Sequence, residues 1–232
     1  MRQIILDTET TGLQPEAGHR IIEIGCVELI NRKLTGKHFH TYLNPEREID
    51  AGASAIHGIT QDFLQDKPLF STIATEFIDF VRNAELIIHN APFDVGFINH
   101  ELQLVQQSWK SLHTYCRIVD TLVLARQLHV GQRNSLDALC KRYKVDTSQR
   151  EYHGALLDAH LLTQVYLAMT GGQRTLFDDF VSVETQPIKT AVLNAVTHSP
   201  KKLTVVKADA DELRDHVQYL QGMLKKGKCI WL

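Results

Sequence analysis

A chain of 232 residues, 44% hydrophobic and 22% charged, has the composition of a folded globular protein, which sets aside wholesale disorder, a collagen-like fibre and a disulfide scaffold. A net charge of −2 excludes coating nucleic acid by charge alone: the last 32 residues carry seven basic and four acidic side chains, net +3, and the first 200 carry 18 and 23, net −5. No apolar run approaches the ~20 residues of a membrane span, no signal-peptide core precedes Asp7, and Cys26, Cys116, Cys140 and Cys229 form no C-x-x-C pair, so a cytoplasmic protein with reduced thiols is expected.

Gln3 to Asp7, Arg20 to Ile30 and Lys37 to Leu43 read as three successive strands, rich in Ile, Val and Phe and parted by turn residues. From Phe70 the apolar period becomes helical through Ile73, Ala74, Phe77, Ile78 and Val81, with Ser71 as the expected N-cap. Leu86-Ile87-Ile88 is apolar without alternation, the pattern of a strand covered on both faces, and Asn90-Ala91-Pro92 marks a helix start behind it. Further helices are predicted over Asp120 to Leu128, Ser135 to Tyr143 and Gly154 to Thr170, the last closed by Gly171-Gly172. Strands in series, then strands and helices intermixed, predict an α/β domain over 1–172 with a mixed central sheet.

Residues 173–200 lack a clear period and read as a flexible linker. Lys202 to Lys207 reads as a strand, and Glu212 to Lys226 as a helix with a stripe of Leu213, Val217, Leu220 and Leu224. A piece of about 30 residues is too small to build its own core, so 201–232 is expected to dock on something else.

The first candidate for chemistry is Asp7-Thr8-Glu9. Residues two apart on a strand share a face, so two carboxylates point one way. Either they frame a cation or one stays protonated, or the strand simply ends in solvated acids. Asp94 sits in the first turn of the helix after the central strand, where capping alone would also explain an acid. Asp158 lies beside the stripe of Leu161, Leu162 and Val165 and is expected to face the sheet, an expensive place for an unpaired carboxylate. His153 lies five positions earlier, about 140° away on a regular helix, so it is expected to lean over the site from the preceding loop or first turn.

Three blocks, Asp7-x-Glu9, Asn90-Ala91-Pro92-Phe93-Asp94 and His153-x-x-x-x-Asp158, resemble in order and content the three motifs of the DEDD-type 3'–5' exonucleases, over roughly residues 1 to 170. The histidine resembles that of the His branch; the Tyr branch would carry tyrosine where this chain has Gly154. The segment Arg133 to Cys140 and the Gly171-Gly172-Gln173 exit are similar to the proofreading subunits of bacterial replicases. The resemblance implies a ribonuclease-H-like mixed sheet flanked by helices. It implies two divalent cations, Mg²⁺ or Mn²⁺, held by Asp7, Glu9 and Asp158 with Asp94 assisting, and His153 as general base. The implied substrate is the single-stranded 3' end of DNA, released as 5'-nucleoside monophosphates. Contacts to the terminal nucleotide are implied for Asp7, Glu9, Thr10, the backbone near Gly12, His57 and Asp158; Ala51-Gly52-Ala53 departs from the family pattern of a Pro and an acid. Gln173, Leu176 and Phe177 resemble a sliding-clamp peptide, and 201–232 resembles the tail that binds the polymerase catalytic subunit; a small accessory subunit is a further candidate partner. Exoribonucleases of the same branch and a silent adaptor between clamp and polymerase are the competing readings.

Overall fold

The structure is a computed structural model and describes residues 1–105, 109–148, 150, 152–171 and 209–226. The predicted linker, the clamp-like residues Gln173, Leu176 and Phe177, the predicted strand Lys202 to Lys207 and the chain end after 226 lie outside the described residues. The chain divides into two units, the first holding the sheet and the second a C-terminal helix.

Five strands, β1 (Arg2–Thr10), β2 (Ile21–Ile30), β3 (Lys33–Tyr42), β4 (Glu85–Ile88) and β5 (Arg117–Asp120), form one sheet in the order β3-β2-β1-β4-β5. The β1–β2 and β2–β3 pairs are antiparallel, and β1–β4 and β4–β5 are parallel. This is the mixed sheet the patterning predicts. Among the described residues, seven α-helices belong to the same unit: α1 (Ala51–His57), α2 (Gln61–Leu64), α3 (Phe70–Val81), α4 (Ala91–Val105), α5 (Thr121–Leu128), α6 (Leu136–Tyr143) and α7 (Ala155–Thr170).

Alternation along β1 divides the core into two layers. Ile4 and Leu6 join Ile24, Cys26, Leu86 and Ile88 under α3 and α4, where Phe70, Phe77, Phe97 and Ile98 fill the interior. Ile5 points the other way and meets Val27, Leu29 and Ile87 under Ala159, Leu162 and Tyr166 of α7. Leu86-Ile87-Ile88 thus loses water on both faces, as its unbroken apolar run requires.

Several boundaries differ from the sequence reading. α3 begins at Phe70 with Leu69 as N-cap and no side-chain cap, so Ser71 lies inside the helix. β3 starts at Lys33, where β2 and β3 form a hairpin around Asn31 and Arg32, both at positive φ. α1 and β5 were not expected: one is short and made of small residues without an apolar stripe, the other has four residues. Cys26, Cys116 and Cys140 are free and buried.

The second unit contains α8 (Ala210–Lys226). Its start is a capping box: Asp209 Oδ1 accepts from the backbone N–H of Glu212, while Glu212 Oε2 accepts from that of Asp209. That cap explains why the helix begins before Glu212. Leu213, Val217 and Tyr219 are exposed on it. Among the described residues no helix is long and apolar enough to cross a membrane.

Candidate active site

The C-terminal end of β1 gathers the predicted acids. Asp7 and Glu9 leave the strand on the α7 side, and a register irregularity follows immediately, between Glu9 and Thr10. Thr8 points to the opposite layer, where its hydroxyl donates to Asp94 Oδ1 at 2.7 Å from the first turn of α4. Asp94 and Asp158 are both 3% exposed. Asp158 occupies the first turn of α7 and faces the sheet, as its neighbours in the apolar stripe predict. His153 lies in the loop before the N-cap Gly154, with Nδ1 3.4 Å from Asp158 Oδ2. Glu9, His153 and Asp158 each bring a ligand atom within 4.8 Å of the others.

Close packing produces this convergence. β2 carries Gly25 where α7 begins, and a Cβ there would stand 2.2 Å from the backbone nitrogen of Leu156 and 2.3 Å from the carbonyl carbon of Ala155. The missing side chain lets the helix start lie on the strand, which brings Asp158 to the level of Glu9.

Burial acts on every acid in the group, and mutual repulsion acts on Asp7 and Glu9. Burial raises the Asp7 carboxyl well above its ordinary value, with Asp94, Glu9, Asp158 and Glu23 adding to the rise. Glu9 is raised to about 8 by burial and then by Asp158, Glu23 and Asp94. Asp94 is raised to about 7 by burial, against the opposing hydrogen bond from Thr8. Burial raises Asp158 as well, although Arg150 donates to it. Asp158 Oδ1 is buried without a hydrogen-bond partner. An all-carboxylate cluster held partly protonated, with an unpaired oxygen inside it, fits a hard divalent cation.

The remaining predicted positions surround this cluster. Thr10 Oγ1 donates to the carbonyl of Gly12 at 2.6 Å, and the ring of His19 lies where a side chain on Gly12 would be. His57 is the buried end of α1, closed by Gly58 at positive φ. Its Nδ1 accepts from the backbone N–H of Ile59, while Nε2 is buried and unpaired. The neighbouring Ile56 carbonyl accepts from the backbone N–H of His153, joining the two histidine segments.

Sequence reading missed three participants. Glu23 stands opposite Glu9 in the β1–β2 register and accepts from His40 Nε2 at 2.8 Å. Thr8 secures Asp94, and Arg150 bridges Asp158 and His153. The strand pattern offered a signal for Glu23, a lone acid on the face that Gly25, Val27 and Leu29 share. Arg150 has no periodic signal at all.

A mixed sheet of this order, with carboxylates brought together from both of its layers, defines a nuclease scaffold; the exonuclease family model (RNase T) matches residues 4–166, and the chain belongs to that family. The DNA polymerase III subunit epsilon of Escherichia coli K12 is 47% identical over 235 residues, covering 99% of this chain and 97% of that one. Its counterpart in Rickettsia felis is 50% identical over 227 residues, covering 97% and 98%. Within the exonuclease family, the chain therefore belongs to the DNA polymerase III epsilon subunits. Exonuclease X, solved in complex with 5' overhanging duplex DNA, is 26% identical with a TM-score of 0.58, covering 74% of this chain and 94% of that one. Exonuclease I, at 19% identity and a TM-score of 0.62 over 77% of this chain and 42% of that one, shares the fold.

Proposed function

We propose that this metal-dependent 3'–5' exonuclease proofreads for DNA polymerase III through one site, in which Asp7, Glu9, Asp94 and Asp158 hold two divalent cations, Mg²⁺ or Mn²⁺, and His153 is the general base. The observation that carries this reading is the meeting of Asp158 with Glu9 and His153 within 4.8 Å. When bound, such cations neutralise the crowded carboxylates and stabilise charge building on the attacking and leaving oxygens.

The chain's own groups do the rest. Thr10, the Gly12 backbone and His57 hold the terminal nucleotide, with Asp7, Glu9 and Asp158 beside its phosphate. Burial keeps the His57 imidazole below its usual pKa, hence neutral among the acids. A water oxygen forms a bond to the last phosphorus, the bond to the 3'-oxygen breaks, and the water proton passes to His153 Nδ1, which gives up the hydrogen bond it accepts at rest from Arg150 Nη2. The leaving 3'-oxygen takes a proton from solvent, and a 5'-nucleoside monophosphate departs. Asp158 Oδ2, 3.4 Å from Nδ1, stabilises the protonated ring. Selectivity for errors comes from fraying: a mispaired end melts at a cost of a few kcal/mol, less than a paired one.

The exonuclease domain spans 1–172, 173–200 links it to the tail, and 201–232 binds the DNA polymerase III catalytic subunit in the cytoplasm. Gln173, Leu176 and Phe177 bind the sliding clamp. A small accessory subunit is a further candidate partner. The deciding experiment is trimming of a 3'-mispaired DNA primer in Mg²⁺. Wild type should release nucleotides, and Asp7→Ala should release none while keeping its circular dichroism. Trimming of RNA but not DNA would favour an exoribonuclease, and inactivity on both with polymerase binding intact would favour an adaptor.

A further inference from the structure

The family motifs account for four acids and a histidine but not for the basic side chain among them. Arg150 lies in the loop between α6 and α7 with its side chain only 9% exposed. Its Nη2 stands 2.5 Å from Asp158 Oδ2 and 3.0 Å from His153 Nδ1, and its Nη1 pairs with Asp137 in the first turn of α6. A guanidinium has donors and no acceptor, so both Nη2 contacts are donations. His153 Nδ1 is therefore an acceptor, and the neutral ring carries its proton on Nε2. At Asp158 the donation occupies Oδ2 and leaves the buried Oδ1 unpaired.

We propose that Arg150 is a positioning residue of the nuclease: anchored on Asp137, it fixes the orientation of the Asp158 carboxylate and the tautomer of His153. The proposal rests on the roles given to Asp158 and His153 above. It also gives a use to the segment Arg133 to Cys140. Ser135 caps α6 by accepting from the backbone N–H of Ala138, which places Asp137 in the first turn, where it meets the arginine. The ring of His153 is 44% exposed, so without this clasp it exchanges between tautomers and rotamers. Losing a group that orients a ligand or base lowers activity about 10–100-fold.

The test uses the full chain with Arg150→Ala, Arg150→Lys and Asp137→Asn. Arg150→Ala should lower kcat for primer trimming by about 10–100-fold and leave KM for the oligonucleotide unchanged. Arg150→Lys should recover part of the rate, because it keeps a donor but not the fork, and Asp137→Asn should show a milder fall. Imidazole ¹⁵N spectra of the metal-free protein give a readout independent of turnover. In wild type His153 should carry its proton on Nε2 alone, and in Arg150→Ala the two tautomers should mix. An unchanged kcat together with an unchanged His153 spectrum overturns the proposal. So does a raised KM at constant kcat, which would make Arg150 a substrate contact. If Arg150→Ala does not fold, the lysine and Asp137→Asn variants carry the same readouts. Full activity of Asp158→Asn or His153→Ala would instead overturn the catalytic assignment beneath it.

Discussion

Carboxylates crowded at the end of β1 make the metal-free protein pH-sensitive in a defined direction. Burial and crowding raise Asp7, Glu9, Asp94 and Asp158 above their unfolded values, so the folded protein binds these protons more tightly than the unfolded chain does. Stability contributed this way is complete below the unfolded values, 3.8 for Asp and 4.5 for Glu, and is lost as pH rises toward about 7 for Asp94 and about 8 for Glu9. Thermal melts in chelator should therefore fall in Tm between those limits, and Mg²⁺ or Mn²⁺ should restore more Tm at the alkaline end; a Tm independent of pH there would contradict the crowding. At this scale Asp7, Glu9 and Asp158 stood out because strand alternation and a charge in an apolar stripe are local signals, whereas Asp94 and His153 stood out only through the resemblance of their motifs. Thr8, Glu23 and Arg150 did not, since each acts through a partner that only strand register or helix packing brings near.

At the scale of elements, the site depends on how closely α7 lies on β2. Gly25→Ala puts a methyl group into backbone of Ala155 and Leu156, which no side-chain rotation relieves. Overpacking of this kind costs about 1–3 kcal/mol, and here it also lifts Asp158 and His153 from Glu9. The expected result is a lower Tm and a fall in kcat greater than that Tm loss alone explains; an unchanged kcat would mean that the helix start does not set the site. Long periodic elements such as α3 and α7 were readable, as was the doubly covered β4. α1 and β5 were hidden by their brevity, and the α3 cap was misplaced because a serine cap signal competed with Leu69, which starts the helix without a side-chain bond.

On the scale of the whole molecule, catalysis and attachment are assigned to separate stretches of chain. Deleting 201–232 should spare primer trimming and end co-purification with the polymerase catalytic subunit; persistent co-purification would move the docking surface elsewhere. The division was suggested by a change in composition after Gly172 and by the basic, amphipathic character of the tail, signals that indicate a partner without specifying its surface.

Thr8 and Asp7 leave β1 in opposite directions, yet the acids they accompany come from helices on opposite layers and meet at one rim. On the proposed site, hydrolytic competence belongs to the finished sandwich: a chain with one layer detached would bring together only half of these acids.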